Sequence, residues 1–517
     1  MAQGISLIDR CARSNNVIRR EHCRRRSEIL RIVQSKGSLD TGRGAQRYEP
    51  RRSWEFAGLM SMSVAAKEGT GVTQPTHAQS YRNTAQKTSV FSWLFAALCL
   101  NGMIYNEVIG SAFLYLLFIV MIVIVAAYPT AFLREFESQK AILLLLPAYA
   151  LLSTLWSAVP ESTARTALQA VLMIAFGVML CRLVPAKQFV HIMFLSLILA
   201  ILLGFIVNRR VLDSMTNEIN WSGIYYNKNS MSMIGALFGL CCAHHAMDSK
   251  RFVPIRLFYL AILPLSYVVC YSAKSIAMIV ILTIGLGLMT SIYLAFLLPR
   301  RMFRSTIEQI SIVIVIFSGV GFFVLSNFSG ELLQLVGKSP TLTGRTVLWD
   351  WASKIIPTKF WLGWGYNGFW VQGNPLAEML WLENHVQSRM GFHFHNLFYQ
   401  SQIDLGLFGL LIVATMLSWT FLMCYRWVYY SANITSVFYF SCATVMIVSQ
   451  YQDIQLFGGF GTMSLLFTIA GVYAYDFNAM ERSRSSRKGN VQSSRVGGAL
   501  VGSTQVPEGT TQVSRGY

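Results

Sequence analysis

Charge is scarce in this chain. Asp, Glu, Lys and Arg make up 13% of its 517 residues, about half the share found in an ordinary soluble domain. So little charge excludes a disordered protein and a soluble enzyme alike, because neither can bury or solvate a surface this apolar. Cysteine is too thinly spread to build anything. Of nine cysteines, Cys11 and Cys23 fall in the first 88 residues and the others in apolar runs such as Cys241-Cys242, and no CxxC pair occurs. That removes a secreted disulfide scaffold and a zinc knuckle. There is no Walker, Rossmann or serine-triad motif. No His/Asp/Glu spacing makes a metal site, so no metal and no cofactor is expected. No signal peptide is read at the start, since the first strongly apolar run begins near Val90.

What fills the chain is apolar: 54% hydrophobic, 13% aromatic, with a mean hydropathy of +0.45. Runs of about 20 residues recur, each long enough for a bilayer core of roughly 30 Å. Twelve spans are expected, near 90–106, 108–128, 141–156, 166–181, 188–207, 226–246, 257–271, 275–298, 308–326, 395–424, 434–450 and 455–475. The fold class is therefore an all-α polytopic membrane protein, with spans 1–9 in 89–326 and spans 10–12 in 395–475. Residues 1–88 read as a basic, mostly disordered extension, in which Met60 and Met62 are candidate initiators. Residues 476–517 read as a flexible polar tail.

The formal net charge is +19, much of it before the first span. A basic stretch there suits anionic headgroups rather than nucleic acid. With the N-terminus inside, eleven basic residues between Arg134 and Arg426 fall in short inner loops, against Arg165, Arg209, Arg210 and Lys274 outside. This bias puts both termini in the cytoplasm. It also puts a long polar segment, 327–394, outside before the tenth span, and its Trp, Gly and His mark it as functional.

Cations on the outer side run against the orientation rule and need a reason. Arg165, Arg209, Arg210, Lys228, Lys274, Arg345 and Arg389 are such cations. Some snorkel to headgroups; together they suit a cavity for an anion, and the planar arginine fork suits phosphate. Asn227-Lys228-Asn229 opens a span, where free N–H groups favour anions. Gly344-Arg345-Thr346 is followed by Trp349 and by Gly363-Trp364-Gly365-Tyr366-Asn367-Gly368-Phe369, glycines and aromatic faces that suit sugar rings. His395-Asn396 opens the tenth span. An imidazole there can take a proton from a sugar hydroxyl, with Glu378, Glu383 and Asp404 as rival bases and His393 expected to point elsewhere.

These elements, in this order, resemble the O-antigen ligase and polymerase superfamily over roughly 90–475. The carriers are Leu152-Ser153 to Trp156-Ser157 with Pro160 and Arg165, Tyr226 to Asn229, Gly344-Arg345-Thr346 with Trp349, and Gly363 to Phe369. The strongest is His395-Asn396, nine residues, then Gly406 and Gly409. The order looks most like exopolysaccharide polymerases of the succinoglycan type. The resemblance implies a fold related to the GT-C glycosyltransferases, with about 12 transmembrane helices and a periplasmic loop over the site. It implies metal-independent polymerisation of undecaprenyl-diphosphate-linked oligosaccharide repeat units at the inner membrane. It maps the family's catalytic histidine onto His395 and its pyrophosphate-binding arginines onto Arg165 and Arg345, then Arg209 or Arg210. Together with the residue reading this gives Arg345, His395 and Arg165 as catalytic, and Lys228, Arg209, Arg210, Arg389, Asn396, Trp349 and Trp364 as substrate-binding. A chain-length regulator and export machinery are candidate partners. Two other readings stay open: a ligase that moves finished glycan to a lipid or protein, and a transporter of an anionic solute.

Overall fold

The computed structural model describes residues 89–501 apart from 128, 137–138, 214–217, 328–344, 390–391 and 459–460. The chain divides into two units, Met1–Gln74 and Pro75–Tyr517. The first unit, with the basic extension and its initiator methionines, lies outside the described residues, as does the end of the tail from 502.

The second unit is a helical bundle. In order its helices are α1 Val90–Ile104, α2 Ser111–Ala127, α3 Pro129–Phe136, α4 Leu145–Leu152, α5 Pro160–Leu183 and α6 Ala186–Val207. After a hairpin of β1 Arg209–Asp213 and β2 Glu218–Gly223 come α7 Lys228–Met247, α8 Val253–Ile262, α9 Pro264–Ser272, α10 Ile276–Ala295 and α11 Arg300–Asn327. The last are α12 Arg345–Ile355, α13 Pro375–Glu383, α14 Leu397–Ser431, α15 Ile434–Ser449 and α16 Thr462–Val501. Among the described residues, six stretches are long and apolar enough to cross a membrane: α5, α6, α7, α8 with α9, α10 and α14; α1, α2, α15 and Lys140–Leu155 are shorter apolar helices. Many of these helices are apolar outside as well as inside, with Ile119, Leu202 and Val280 exposed, as lipid-facing helices must be.

Helix α7 is the centre, with 83% of its most apolar window buried. It packs on α6, α8, α9, α10 and α15. Its Gly235 and Gly239 face Val269 and Ser266 of α9, where a methyl group would collide, so the small residues set the close approach. At one end of the bundle Lys140 is buried between Glu135, 3.1 Å away, and Asp476, 2.6 Å away, and Arg182 joins Glu135. The opposite end carries β1–β2 and the segment 345–396.

Several elements differ from the sequence expectation. The span near 257–271 is two helices, because Pro264 has no N–H to continue α8. The segment 327–394 carries α12 and α13 rather than open loop. A two-stranded antiparallel sheet interrupts the all-α pattern where Asn208, in the left-handed region at φ 47°, ends α6. The tail expected from 476 begins as helix, since α16 meets no proline before Val501.

Helix α14 is broken at Gly406, whose φ is 67°. A kink at membrane depth frees backbone groups that lipid cannot satisfy. The segment before α13 supplies the partners: Trp364 N–H donates to the Ile403 carbonyl at 2.9 Å, and Leu407 N–H donates to the Phe360 carbonyl at 2.9 Å. The same segment is held from its other side. Trp156 Nε1 donates to the Leu362 carbonyl, Tyr366 N–H to Ser153 Oγ, and Thr163 Oγ1 to the Tyr366 carbonyl, each at 3.0 Å. A side chain at 406 would meet the Trp361 carbonyl and a disfavoured φ. Gly406→Ala should therefore lose more than about 2 kcal/mol or fail to fold, whereas Gly287→Ala, with open space at its Cα, should be neutral or slightly stabilising. Thermal unfolding in detergent checks both, and equal behaviour of the two variants would refute the clamp.

Candidate functional site

The start of α14 is built by the loop after α15. Asn396 caps the helix, its Oδ1 accepting from Phe398 N–H at 2.9 Å and Tyr399 N–H at 3.4 Å. Its Nδ2 donates to the Tyr451 carbonyl at 3.3 Å, and Leu397 N–H donates to the Gln450 carbonyl at 3.0 Å. Gln450 in turn accepts from Gln455 and Leu456 N–H through Oε1. The cap thus holds residues 450–456 beside the two histidines before the helix.

Asp453 stands between those histidines. Its Oδ1 lies 3.3 Å from His395 Nδ1 and 3.7 Å from His393 Nε2. His395 reaches it from a left-handed backbone, φ 52°, a conformation that costs a non-glycine residue about 1–2 kcal/mol. Its N–H donates to His393 Nδ1 at 3.1 Å. Burial alone would raise the Asp453 carboxyl; the His395 hydrogen bond and the nearby Arg345 charge reverse this and hold it well below the usual carboxylate range. Burial pulls His393 down to about 3, helped by His395 and Arg345 against Asp453.

Beside this trio lies a pocket of about 70 Å³ lined by Lys228, Asn229, Lys274, Ser275, Ile276 to Met278, Arg345, Gln452 and Asp453. Three helices begin at it. Lys228 is the first residue of α7, Arg345 the first of α12, and Lys274 precedes α10 by two. Lys274 sits at φ 51°, where the turn from α9 closes with Ser275 N–H donating to the Cys270 carbonyl at 3.0 Å. The positive ends of three helix dipoles and three cationic side chains meet one carboxylate, an arrangement that attracts an anion with more than one charge.

His393, His395 and Asp453 are close enough together to hold a metal ion. Their hydrogen bonding does not suit one: His393 Nδ1 accepts an N–H, so the neutral ring carries its proton on Nε2, the nitrogen a metal would need. The trio is instead a donor–carboxylate arrangement. With His395 Nδ1–H turned to Asp453, Nε2 keeps the lone pair and can accept a proton.

The other candidates lie elsewhere. Arg165 is exposed one turn into α5 and does not line the pocket. Arg209 stacks on the Tyr226 ring at 4.1 Å and donates to the Ile224 carbonyl at 3.0 Å; Arg210 is exposed on β1. Arg389 pairs with Glu378 at 3.2 Å. Trp349 Nε1 donates to the Phe394 carbonyl at 2.9 Å, and its ring stacks on Tyr399. Trp364 lies under Lys359 Nζ at 4.1 Å. Of the rival bases, Asp404 is buried and accepts from Gln400 Nε2 at 2.8 Å, and Glu383 is exposed at the end of α13. The glycines at 363 and 365 let the backbone approach Asp404 and Ser157 of the protein itself. Asp453, His393, Ser275 and Gln452 were not expected at the site. Only the H-x-H spacing before the tenth span carried a signal for any of them.

The two carboxylate neighbours set the pH response of this end of the fold. His393 stays neutral in the folded protein, so lowering pH through its ordinary value of about 6.5 adds a proton to the unfolded chain only. Folding stability is then present above that value and lost below it. Between pH 7.5 and 5 the loss should be roughly 2 kcal/mol. His393→Gln should remove that part of the pH dependence in thermal unfolding, and an unchanged slope would overturn the neutral state.

Residues 260–414 match a protein family described as O-antigen ligase. The exopolysaccharide production protein ExoQ of Rhizobium meliloti is 26% identical to this chain over 282 residues, 52% of this chain and 61% of the relative. The chain thus spans about three fifths of that relative's length. The matched segment contains Lys274, Arg345, His393 and His395, and leaves Lys228 and Asp453 on either side of it.

Proposed function

We propose, for a helical membrane protein that resembles the O-antigen ligase and polymerase superfamily, that the pocket between α7, α10 and α12 binds a lipid-linked sugar diphosphate. The reaction is polymerisation of undecaprenyl-diphosphate-linked repeat units into exopolysaccharide at the periplasmic face of the inner membrane, with both termini in the cytoplasm. The observation that carries it is the gathering of Lys228, Lys274 and Arg345 with Asp453 around one pocket, beside the His395 imidazole that Asp453 holds. A diphosphate diester carries two negative charges, and three cations against one carboxylate give the lining a net charge of two positive. When the sugar leaves, the diphosphate gains a further charge. Fixed cations and helix starts stabilise that change without reorganising.

His395 Nε2 takes the proton of an acceptor hydroxyl, whose oxygen forms a bond to the anomeric carbon. The bond from that carbon to the phosphate oxygen breaks, and undecaprenyl diphosphate departs with the electron pair. Asp453 holds the imidazole in the tautomer this requires and stabilises it once protonated. Arg165, Arg209, Arg210 and Arg389 lie outside the pocket and are assigned to the approach of the glycan, with Trp349 and Trp364 near the acceptor side. Asn396 acts by capping α14. A chain-length regulator and export machinery would receive the product.

A second reading is favoured by the family match itself, which is described as a ligase: finished glycan moved from the same lipid to another acceptor. Both readings share the pocket, and one experiment separates them. Sugar polymers are profiled from cells lacking this protein, complemented with wild type, Arg345→Ala or Arg165→Ala. Single repeat units accumulating on lipid establish the polymerase; long chains left on undecaprenyl diphosphate establish the ligase. Unchanged polymer sinks both. Arg345→Ala should cut transfer by roughly 100-fold or more, the scale of one lost charge-stabilising donor, at normal protein levels. Arg165→Ala should lose far less.

A further inference from the structure

His393 has no part in the transfer chemistry above, yet it is fixed on two sides. Its Nδ1 accepts the backbone N–H of His395 at 3.1 Å. Its Nε2 faces Asp453 Oδ1 at 3.7 Å, the oxygen that stands 3.3 Å from His395 Nδ1. The two rings meet edge to face with centroids 4.2 Å apart. A side-chain acceptor that captures the N–H two residues on is the device by which an Asx turn holds backbone in a tight bend. Here it holds His395 in the left-handed region, and that bend turns the His395 ring toward the carboxylate.

We infer that His393 is a positioning residue for the transfer reaction: it binds the His395 backbone and faces the Asp453 oxygen, and so fixes the direction of His395 Nε2 and the share of carboxylate charge that His395 feels. This rests on reading His395 as the base. A carboxylate oxygen turned to two N–H groups divides its charge between them. Without His393 the whole charge falls on His395, which then holds a proton to higher pH and stops accepting one. The other groups facing the trio are Arg345 of α12, Lys228 of α7 and Lys274 before α10. All three disfavour protonation of His395 and are untouched by changes at 393.

The test uses the full chain in nanodiscs. His393→Phe keeps a ring but no nitrogen; His393→Gln restores an N–H near the place of Nε2. Histidine labelled with 15N reports the titration midpoint of His395, assigned by the signal lost in His395→Gln. Transfer is assayed across pH with lipid-linked repeat units extracted from cells lacking this protein. In His393→Phe the midpoint should rise by about one unit and the acid limb of kcat should follow, lowering the rate about tenfold on that limb, with KM for the lipid donor unchanged. His393→Gln should stay near wild type. An unmoved midpoint and pH profile in His393→Phe overturn the inference, as does His393→Gln behaving like His393→Phe. Wild-type protein that transfers nothing while the midpoint moves as expected overturns the glycosyl-transfer reading and leaves the coupling of His393, Asp453 and His395 standing.

Discussion

Lys228, Lys274 and Arg345 stand where α7, α10 and α12 begin, and each of those helices already presents the positive end of its dipole there. Cations at helix starts are the reverse of the favourable placement and cost up to about 1 kcal/mol apiece. Asp453 offsets part of that cost, and the His395 hydrogen bond together with the Arg345 charge keeps its carboxyl ionised. A fold that keeps three such starts together must restrain them mechanically, and the rest of the bundle can be understood as that restraint. Helix α7 is enclosed by its neighbours, so Lys228 cannot swing away. Lys274 is fixed by the closed turn after α9.

The second restraint is the broken helix α14. Its kink would be untenable in lipid without Phe360 and Trp364, whose backbone completes the missing hydrogen bonds. Their neighbours Leu362 and Tyr366 are bound to Trp156, Ser153 and Thr163, so the segment between α12 and α13 ties α5 to α14. The site is thus set on rigid backbone rather than on loose loop, the condition for holding donors and a base within fractions of an ångström.

Much of this was legible. The shortage of charge and the apolar runs announce a helical membrane protein, and the outer cations point to the pocket, Lys228 and Lys274 at the edges of apolar runs and Arg345 within the polar segment before the tenth span. His395-Asn396 is visible because it opens a span, and Asn396 is an N-cap by residue type alone. Asp453 was invisible: it lies 58 residues from its histidine, in a short Tyr-Gln-Asp turn with no periodicity or glycine to mark it. His393 points away from His395 only if the helix already includes it, and α14 starts at Leu397. Arg209 and Arg389 show why wrong-side cations are a blunt guide, since a tyrosine face and a glutamate satisfy them locally. The glycines of 363–368 were read as room for a sugar; folding uses that room for the protein's own backbone.

The separation of Asp453 from His395 also governs the order in which the chain is made. The three cations are made first, and the histidine leaves the ribosome 58 residues before the carboxylate, a delay of roughly 3–12 s at ordinary rates of synthesis. Throughout that interval α14 lacks the Gln450 and Tyr451 carbonyls that fasten its first turn. The growing chain therefore passes through a stage with its cations gathered and its acid missing, and a product cut short after α15 stays there. The site is complete only once the turn between α15 and α16 has been made.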